Sequence, residues 1–190
     1  MIYILDFETN GLTLGDVEIT QASYLRIDEN FNITKEYNKY FYTDNLKSSA
    51  KITGLTHSKL ANLSGGVEFT RKDLLDILEE LTHGIIIGQN IDYDIAVLDA
   101  TCLRHELRVV PKYPLDVSSQ YSPEGTYMNL KWIVDHHITD KEREALNARF
   151  EGDSLYHNSL YDVYSLYHVI KADPDFKKRL NHYLKTVPRR

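Results

Sequence analysis

One cysteine, Cys102, in 190 residues leaves no partner for an internal disulfide, so a reducing compartment is expected. Also missing is any apolar run long enough to cross a bilayer, and no basic or extended apolar segment stands ahead of the first strand. Together these absences predict a soluble, cytoplasmic protein. Cationic excess is lacking as well: 22 Lys and Arg stand against 28 Asp and Glu, a formal net charge of -6. Proteins that coat nucleic acid neutralise many phosphates with basic side chains, and this balance disfavours that class. It leaves room for an enzyme that handles one strand end, because a bound cation brings its own positive charge. The chain shows no internal repeat, low-complexity tract or linker, and its length fits one domain over residues 1–190.

What is present begins with "MIYILDF", short, apolar and rich in β-formers, which predicts a buried strand. Two more strands are expected at Glu18 to Ile27 and Phe31 to Tyr42, joined into a hairpin by "DEN". The period then changes. Thr70 and Asp73 form a capping pair ahead of Leu74, Ile77, Leu78 and Leu81 at helical spacing. "GIIIG" predicts another buried strand, and Ile91, Ile95, Leu98 and Cys102 the apolar face of the next helix. Further helices follow at Leu130, Ile133 and Val134, at Leu160 to Ile170, and at Phe176 to Leu184 with an end at Pro188. The polar, proline-bearing segment from Lys112 to Gly125 is expected to be a mobile loop. A strand meander followed by strand–helix alternation predicts an α/β fold with a mixed sheet flanked by helices. The 14 tyrosines serve core packing or base stacking equally well, and the basic "KKRLNHYLKTVPRR" reads first as a solvated helix face and tail.

Chemistry enters at the end of the first strand. Alternation places Asp6 and Glu8 on one face with Phe7 on the other. Two anions so close raise each other's pKa and repel unless a cation sits between them. A strand simply ending in solvent explains the pair equally well when it is taken alone. Asp94 falls in the first turn of the helix after "GIIIG", where it could serve only the helix dipole. Asp92, beside it, has no reason to face inward. In "HNSLYD", His157 and Asp162 lie five apart, about 140° around a helix, and converge only if His157 precedes the helix. Ser159 is then well placed to be the N-cap, and taken alone the stretch is better explained by a Ser159–Asp162 capping box beside an ordinary loop histidine. His136 and His137 are adjacent and diverge on a helix, which argues against a shared metal role. Four carboxylates and one imidazole in one empty pocket would be strongly destabilising, a cost that hard divalent cations remove.

These three stretches resemble the motifs of the DEDD superfamily of 3'-to-5' exonucleases, in the histidine-containing, DnaQ-like branch of the proofreading epsilon subunit and ribonuclease T. "DFETNGL", "GQNIDYD" and "HNSLYD" match in order and spacing from Asp6 to Asp162, and "ITGLTHSKL" resembles the segment after the family's third strand. Gln89, Tyr93 and Ser159 depart from the usual histidine, phenylalanine and alanine without removing a ligand. The resemblance implies a ribonuclease H-like fold and a two-metal mechanism with Mg²⁺ or Mn²⁺. Asp6, Glu8, Asp94 and Asp162 would be the metal ligands, and His157 the general base. It extends to Thr9, Asn10, Leu12 and Asn90 as contacts to the terminal nucleotide. The implied activity is hydrolysis of single-stranded DNA or RNA ends to nucleoside 5'-monophosphates. A free-standing enzyme, a proofreading subunit on a DNA polymerase, a homodimer, and an inactive nucleic-acid-binding module remain alternatives. The inactive module is disfavoured because all five catalytic side chains are present.

Overall fold

The computed structural model describes residues 1–47, 54–108, 112–124, 126–150 and 157–186. Five strands, β1 (Ile2–Thr9), β2 (Ile19–Ile27), β3 (Ile33–Tyr40), β4 (Ile85–Gly88) and β5 (Tyr113–Asp116), form one sheet in the order β3-β2-β1-β4-β5. The meander β1-β2-β3 is antiparallel, whereas β4 and β5 join β1 in parallel. Eight helices accompany them among the described residues: α1 (His57–Ser64), α2 (Arg71–Leu81), α3 (Ile91–Arg104), α4 (Ser118–Tyr121), α5 (Leu130–His137), α6 (Asp140–Arg149), α7 (Ser159–Ala172) and α8 (Phe176–Thr186). This is the expected mixed α/β sheet flanked by helices. No helix among the described residues is long and apolar enough to cross a membrane.

Alternation along the strands divides the core. Tyr3, Leu5 and Phe7 of β1 pack with Ile86 of β4 and with Leu74, Ile77, Val97 and Leu98 of α2 and α3. Ile4, Leu25, Ile27, Ile85 and Ile87 face the other way, onto Ile133, Leu146, Tyr161 and Val169 of α5, α6 and α7. Asp6 and Glu8 share the parity of Ile4, so they sit at the end of the face that α7 covers.

The hairpin strands are shorter than expected. Asp28 accepts the N–H groups of Asn30 and Asn32, and Phe31 takes φ 59° in that turn, which removes it from β3. The segment expected to be a loop holds β5 and α4 instead. Pro114 is tolerated in β5 because this is an edge strand, and its carbonyl accepts the Tyr183 hydroxyl at 2.6 Å. Helices α1 and α6 were not anticipated. Thr139 and Glu142 close a capping box on α6, a signal visible in "TDKE". Thr70 and Asp73 form the box expected for α2. Cys102 is buried, His136 bonds the Trp132 carbonyl, and His137 bonds that of Tyr121, so the two histidines diverge as expected. Trp132 is half-buried and stacks on His136 with ring centroids 3.8 Å apart. Ile52, Thr53, Gly125 and Pro188 lie outside the described residues.

Between α2 and β4 the backbone of Gly84 passes against the ring of Tyr3, and a Cβ there would lie 2.3 Å from Tyr3 Cε2. Tyr3 is fully buried, so its ring has little room to yield. Gly84→Ala is therefore expected to lower unfolding free energy by about 1–3 kcal/mol in urea titrations. Gly15→Ala, whose Cβ meets nothing within 4 Å, should stay within about 0.5 kcal/mol of wild type.

Candidate active site

The C-terminal end of β1 meets the N-termini of α3 and α7 around a cleft of about 480 Å³. Asp6, Glu8, Asn90, Tyr93, Asp94, Tyr127, Lys131, His157 and Asp162 are among its walls. One carboxylate oxygen from each of Asp6, Glu8 and Asp162 lies within 4.8 Å of the others. Asp94 approaches from the opposite side of the sheet and stands outside that trio. The β1–β4 pairing ends at Ile4 and Ile87, and Asp94 Oδ1 takes the Phe7 N–H at 2.9 Å, beyond the reach of that ladder. Asp92 is exposed, in accord with the sequence.

Burial dominates the electrostatics. It pushes the Asp6 carboxyl up to about 7. The Glu8 carboxyl is raised by burial and then by the charges of Asp6 and Asp162. Burial followed by the charge of Asp6 likewise raises Asp94 and Asp162. Asp162 Oδ1 is buried and has no hydrogen-bond partner among the described residues. A buried carboxylate oxygen without a donor, amid other carboxylates, is costly in a chain left to itself. An all-oxygen set of this kind fits a hard divalent cation.

The expected N-cap at Ser159 is displaced by one residue. Asn158 caps α7 through a bond from Leu160 N–H, and Ser159 begins the helix with its hydroxyl 2.7 Å from that of Ser23. Asp162 does not close a capping box; its carboxylate faces the cleft. His157 precedes the helix, as convergence requires, and adopts φ 64°, an uncommon left-handed conformation for a residue with a side chain. It is exposed at the rim of the cleft.

The four predicted nucleotide contacts divide. Asn90 lines the cleft with φ 55° and its side chain makes no cap bond to α3, whose first N–H, that of Ile91, is accepted by Asp116 of β5 at 3.0 Å. Thr9 is buried beside the cleft, bonding the Gly11 carbonyl at 2.7 Å and the Tyr93 hydroxyl at 3.2 Å. Leu12 is 69% exposed on the following loop. Asn10 is fully buried, and its amide serves that loop: Nδ2 donates to Asn45 O at 3.0 Å and Oδ1 accepts Glu18 N–H at 2.7 Å. Tyr127 and Lys131 line the cleft without having been singled out in the sequence. A tyrosine in a polar loop and a lysine on a helix carry no distinguishing pattern.

The Exonuclease family profile matches residues 3–170. No curated protein matches the chain. Among solved structures, Escherichia coli exonuclease I in complex with a dA16 oligonucleotide aligns with TM-score 0.71 at 18% identity, over 97% of this chain and 43% of that one. The zinc-bound form of an E. coli exonuclease I complex with single-stranded DNA gives TM-score 0.71 at 19% identity, over 97% and 42%. The chain thus spans less than half the length of exonuclease I, and at this identity the likeness speaks for the fold. With the family profile covering nearly the whole of the sheet and α7, the chain belongs to the Exonuclease family, within the DnaQ-like DEDD superfamily of 3'-to-5' exonucleases.

Proposed function

We propose that residues 1–190 act as one exonuclease domain that removes nucleoside 5'-monophosphates from the 3' ends of single-stranded DNA or RNA. The observation that carries this reading is the carboxylate trio with the donorless Asp162 oxygen, in a cleft that His157 borders. Asp6, Glu8, Asp94 and Asp162 would hold two divalent cations, Mg²⁺ or Mn²⁺. When bound, such ions stabilise charge on the attacking and leaving oxygens of a phosphodiester. His157 would accept the proton of the attacking water, and its exposure at the rim leaves it free to pass that proton to solvent. Asn90, Thr9 and Leu12 would orient the terminal nucleotide. Lys131 would meet a phosphate, and the exposed ring of Tyr127 would stack on a base. The exonuclease I complexes with a dA16 oligonucleotide and with single-stranded DNA support this substrate class.

Matched 5'-labelled DNA and RNA oligomers with Mg²⁺ or Mn²⁺ test the proposal. A ladder shortening from the 3' end and abolished by chelator is expected, and the faster substrate identifies the sugar. His157→Ala should slow it by roughly 10²–10⁴-fold, the range for losing a general base, and Asp162→Asn comparably. Equal inertness of wild type and both variants on DNA and RNA would sink the reading. Lys131→Gln should weaken substrate binding and reduce the slope of log affinity against log salt by about 0.7, as for one lost phosphate contact on a single strand.

The raised carboxylates also fix a pH dependence. Between the ordinary aspartate value of 3.8 and about 7, the folded chain keeps a proton on Asp6 that the unfolded chain has released. The folded state then binds more protons, so stability falls as pH rises through that window. Glu8, Asp94 and Asp162 act in the same direction. Half-buried His168, whose pKa is lowered by desolvation, opposes them below the ordinary histidine value of 6.5. The comparison with Asp6→Asn isolates the cluster: in chelator, wild-type Tm should drop relative to that variant from pH 4 towards 7. Mg²⁺ should raise wild-type Tm more at pH 8 than at pH 5, and equal shifts at both would contradict this account.

A further inference from the structure

The wall that β2 contributes beside the carboxylates is polar where a buried strand would ordinarily be apolar. Gln21 and Ser23 pair across the ladder with Glu8 and Asp6, on the face that continues as Leu25 and Ile27. They are 1% and 0% exposed. Burying two such side chains is unfavourable unless every polar atom finds a partner, and here each does. Gln21 Nε2 donates to Asn158 Oδ1 at 3.0 Å and to Asn38 Oδ1 at 2.9 Å, while Gln21 Oε1 accepts Ser159 N–H at 3.1 Å. Ser23 Oγ bonds Ser159 Oγ at 2.7 Å and donates to Asn38 Oδ1 at 3.0 Å.

One amide thus grips both the cap side chain of α7 and its first backbone N–H. His157 is the residue before that cap, and Asp162 lies in the first turn after it. The same grip fixes the chain immediately after His157, whose left-handed conformation its surroundings must hold in place. Helix capping alone does not require this arrangement, because Asn158 already accepts the Leu160 N–H.

We infer that Gln21 is a positioning residue of the active site: its amide sets the separation between β1, with Asp6 and Glu8, and the α7 terminus, with His157 and Asp162. This inference rests on the reading of those four residues as the catalytic set. Gln21 makes no hydrogen bond to any of them among the described residues, so it acts through Asn158 and Ser159.

Gln21→Leu keeps the volume while removing the amide. The expected result is a fall in kcat of about 10–100-fold on the preferred oligomer, with KM within about twofold, since small misplacements of reacting groups cost rate rather than ground-state binding. In the His157→Ala background the same substitution should cost less than in wild type, because the part of the loss that acts through His157 is already taken while the part that acts through Asp162 remains. An unimpaired single variant would overturn the inference. Mn²⁺ affinity by titration calorimetry gives a readout that does not need turnover. Gln21→Leu should weaken it at least about fivefold through Asp162, whereas Gln120→Leu, remote from the cleft, should not. If wild type binds Mn²⁺ but digests nothing, the proposed function fails, and an unchanged affinity in Gln21→Leu separately overturns the positioning role. Absence of Mn²⁺ binding by wild type overturns both. Should the leucine variant unfold, Gln21→Met carries the same comparison.

Discussion

The constraint on which this structure turns is the crowding of like charge in a poorly solvated place. Asp6, Glu8 and Asp162 bring oxygens within 4.8 Å of one another, and burial plus mutual repulsion raises their affinity for protons. No ion pair to them is formed among the described residues, and there one Asp162 oxygen lacks even a donor. A chain can hold such a cluster only if its scaffold is fixed by interactions that do not involve the carboxylates. The two-sided core of the sheet supplies most of this, with aliphatic and aromatic packing on both faces of β1. The polar clamp from β2 completes it at the point where apolar packing gives way to the site.

The two kinds of position in the cluster differ in their electrostatic support. Asp94 and Asp162 lie in the first turns of α3 and α7, where the positive end of the helix dipole favours a negative side chain. Asp94 also accepts the Phe7 N–H. Asp6 and Glu8 stand on a strand, which has no comparable dipole. Glu8 feels the charges of both Asp6 and Asp162. The helix pair thus has a dipole that the strand pair lacks, yet burial and the charge of Asp6 still raise both Asp94 and Asp162, so all four positions favour a cation.

This difference bears on how much the sequence discloses. Asp6 and Glu8 are visible in it as a same-face pair at the end of a buried strand, although a strand ending in solvent explains that pair equally well. Asp94 and Asp162 are not, since an acid in a first helical turn is ordinary. Only the ordered succession of three motifs distinguished them. The N-cap expected at Ser159, and with it the alternative of a capping box to Asp162, fails for a physical reason: the seryl hydroxyl is buried against Ser23, and Asn158, one residue earlier, reaches the backbone instead. The clamp itself was illegible. Gln21, Ser23 and Asn38 carry no signal in the sequence beyond polar positions within two strands of a hairpin. Their partners, Asn158 and Ser159, are more than 130 residues away in sequence from β2. Strand β5 escaped for the converse reason, its proline being permitted by an edge position that sequence alone does not disclose.

The two faces of the sheet also divide the work of the molecule. On the side of α2 and α3 the strand residues are apolar along the length of β1, from Tyr3 through Phe7. On the side of α7 the apolar layer stops at Ile4 and hands over to Asp6 and Glu8 on β1, and to Ser23 and Gln21 on β2. Helix α7 spans that boundary. Its C-terminal part is anchored by Val169 and Ile170 in the core, its middle by Tyr164 and Tyr167, and its N-terminal turns by Tyr161 and Val163 in the core together with hydrogen bonds to Gln21 and Ser23. Hydrogen bonds are directional where apolar contacts are not, so the end of α7 that must place Asp162 to within fractions of an ångström is the end where the more exacting interaction is added. The apolar part of α7 keeps the helix on the sheet, and the polar part sets where along it the carboxylates meet.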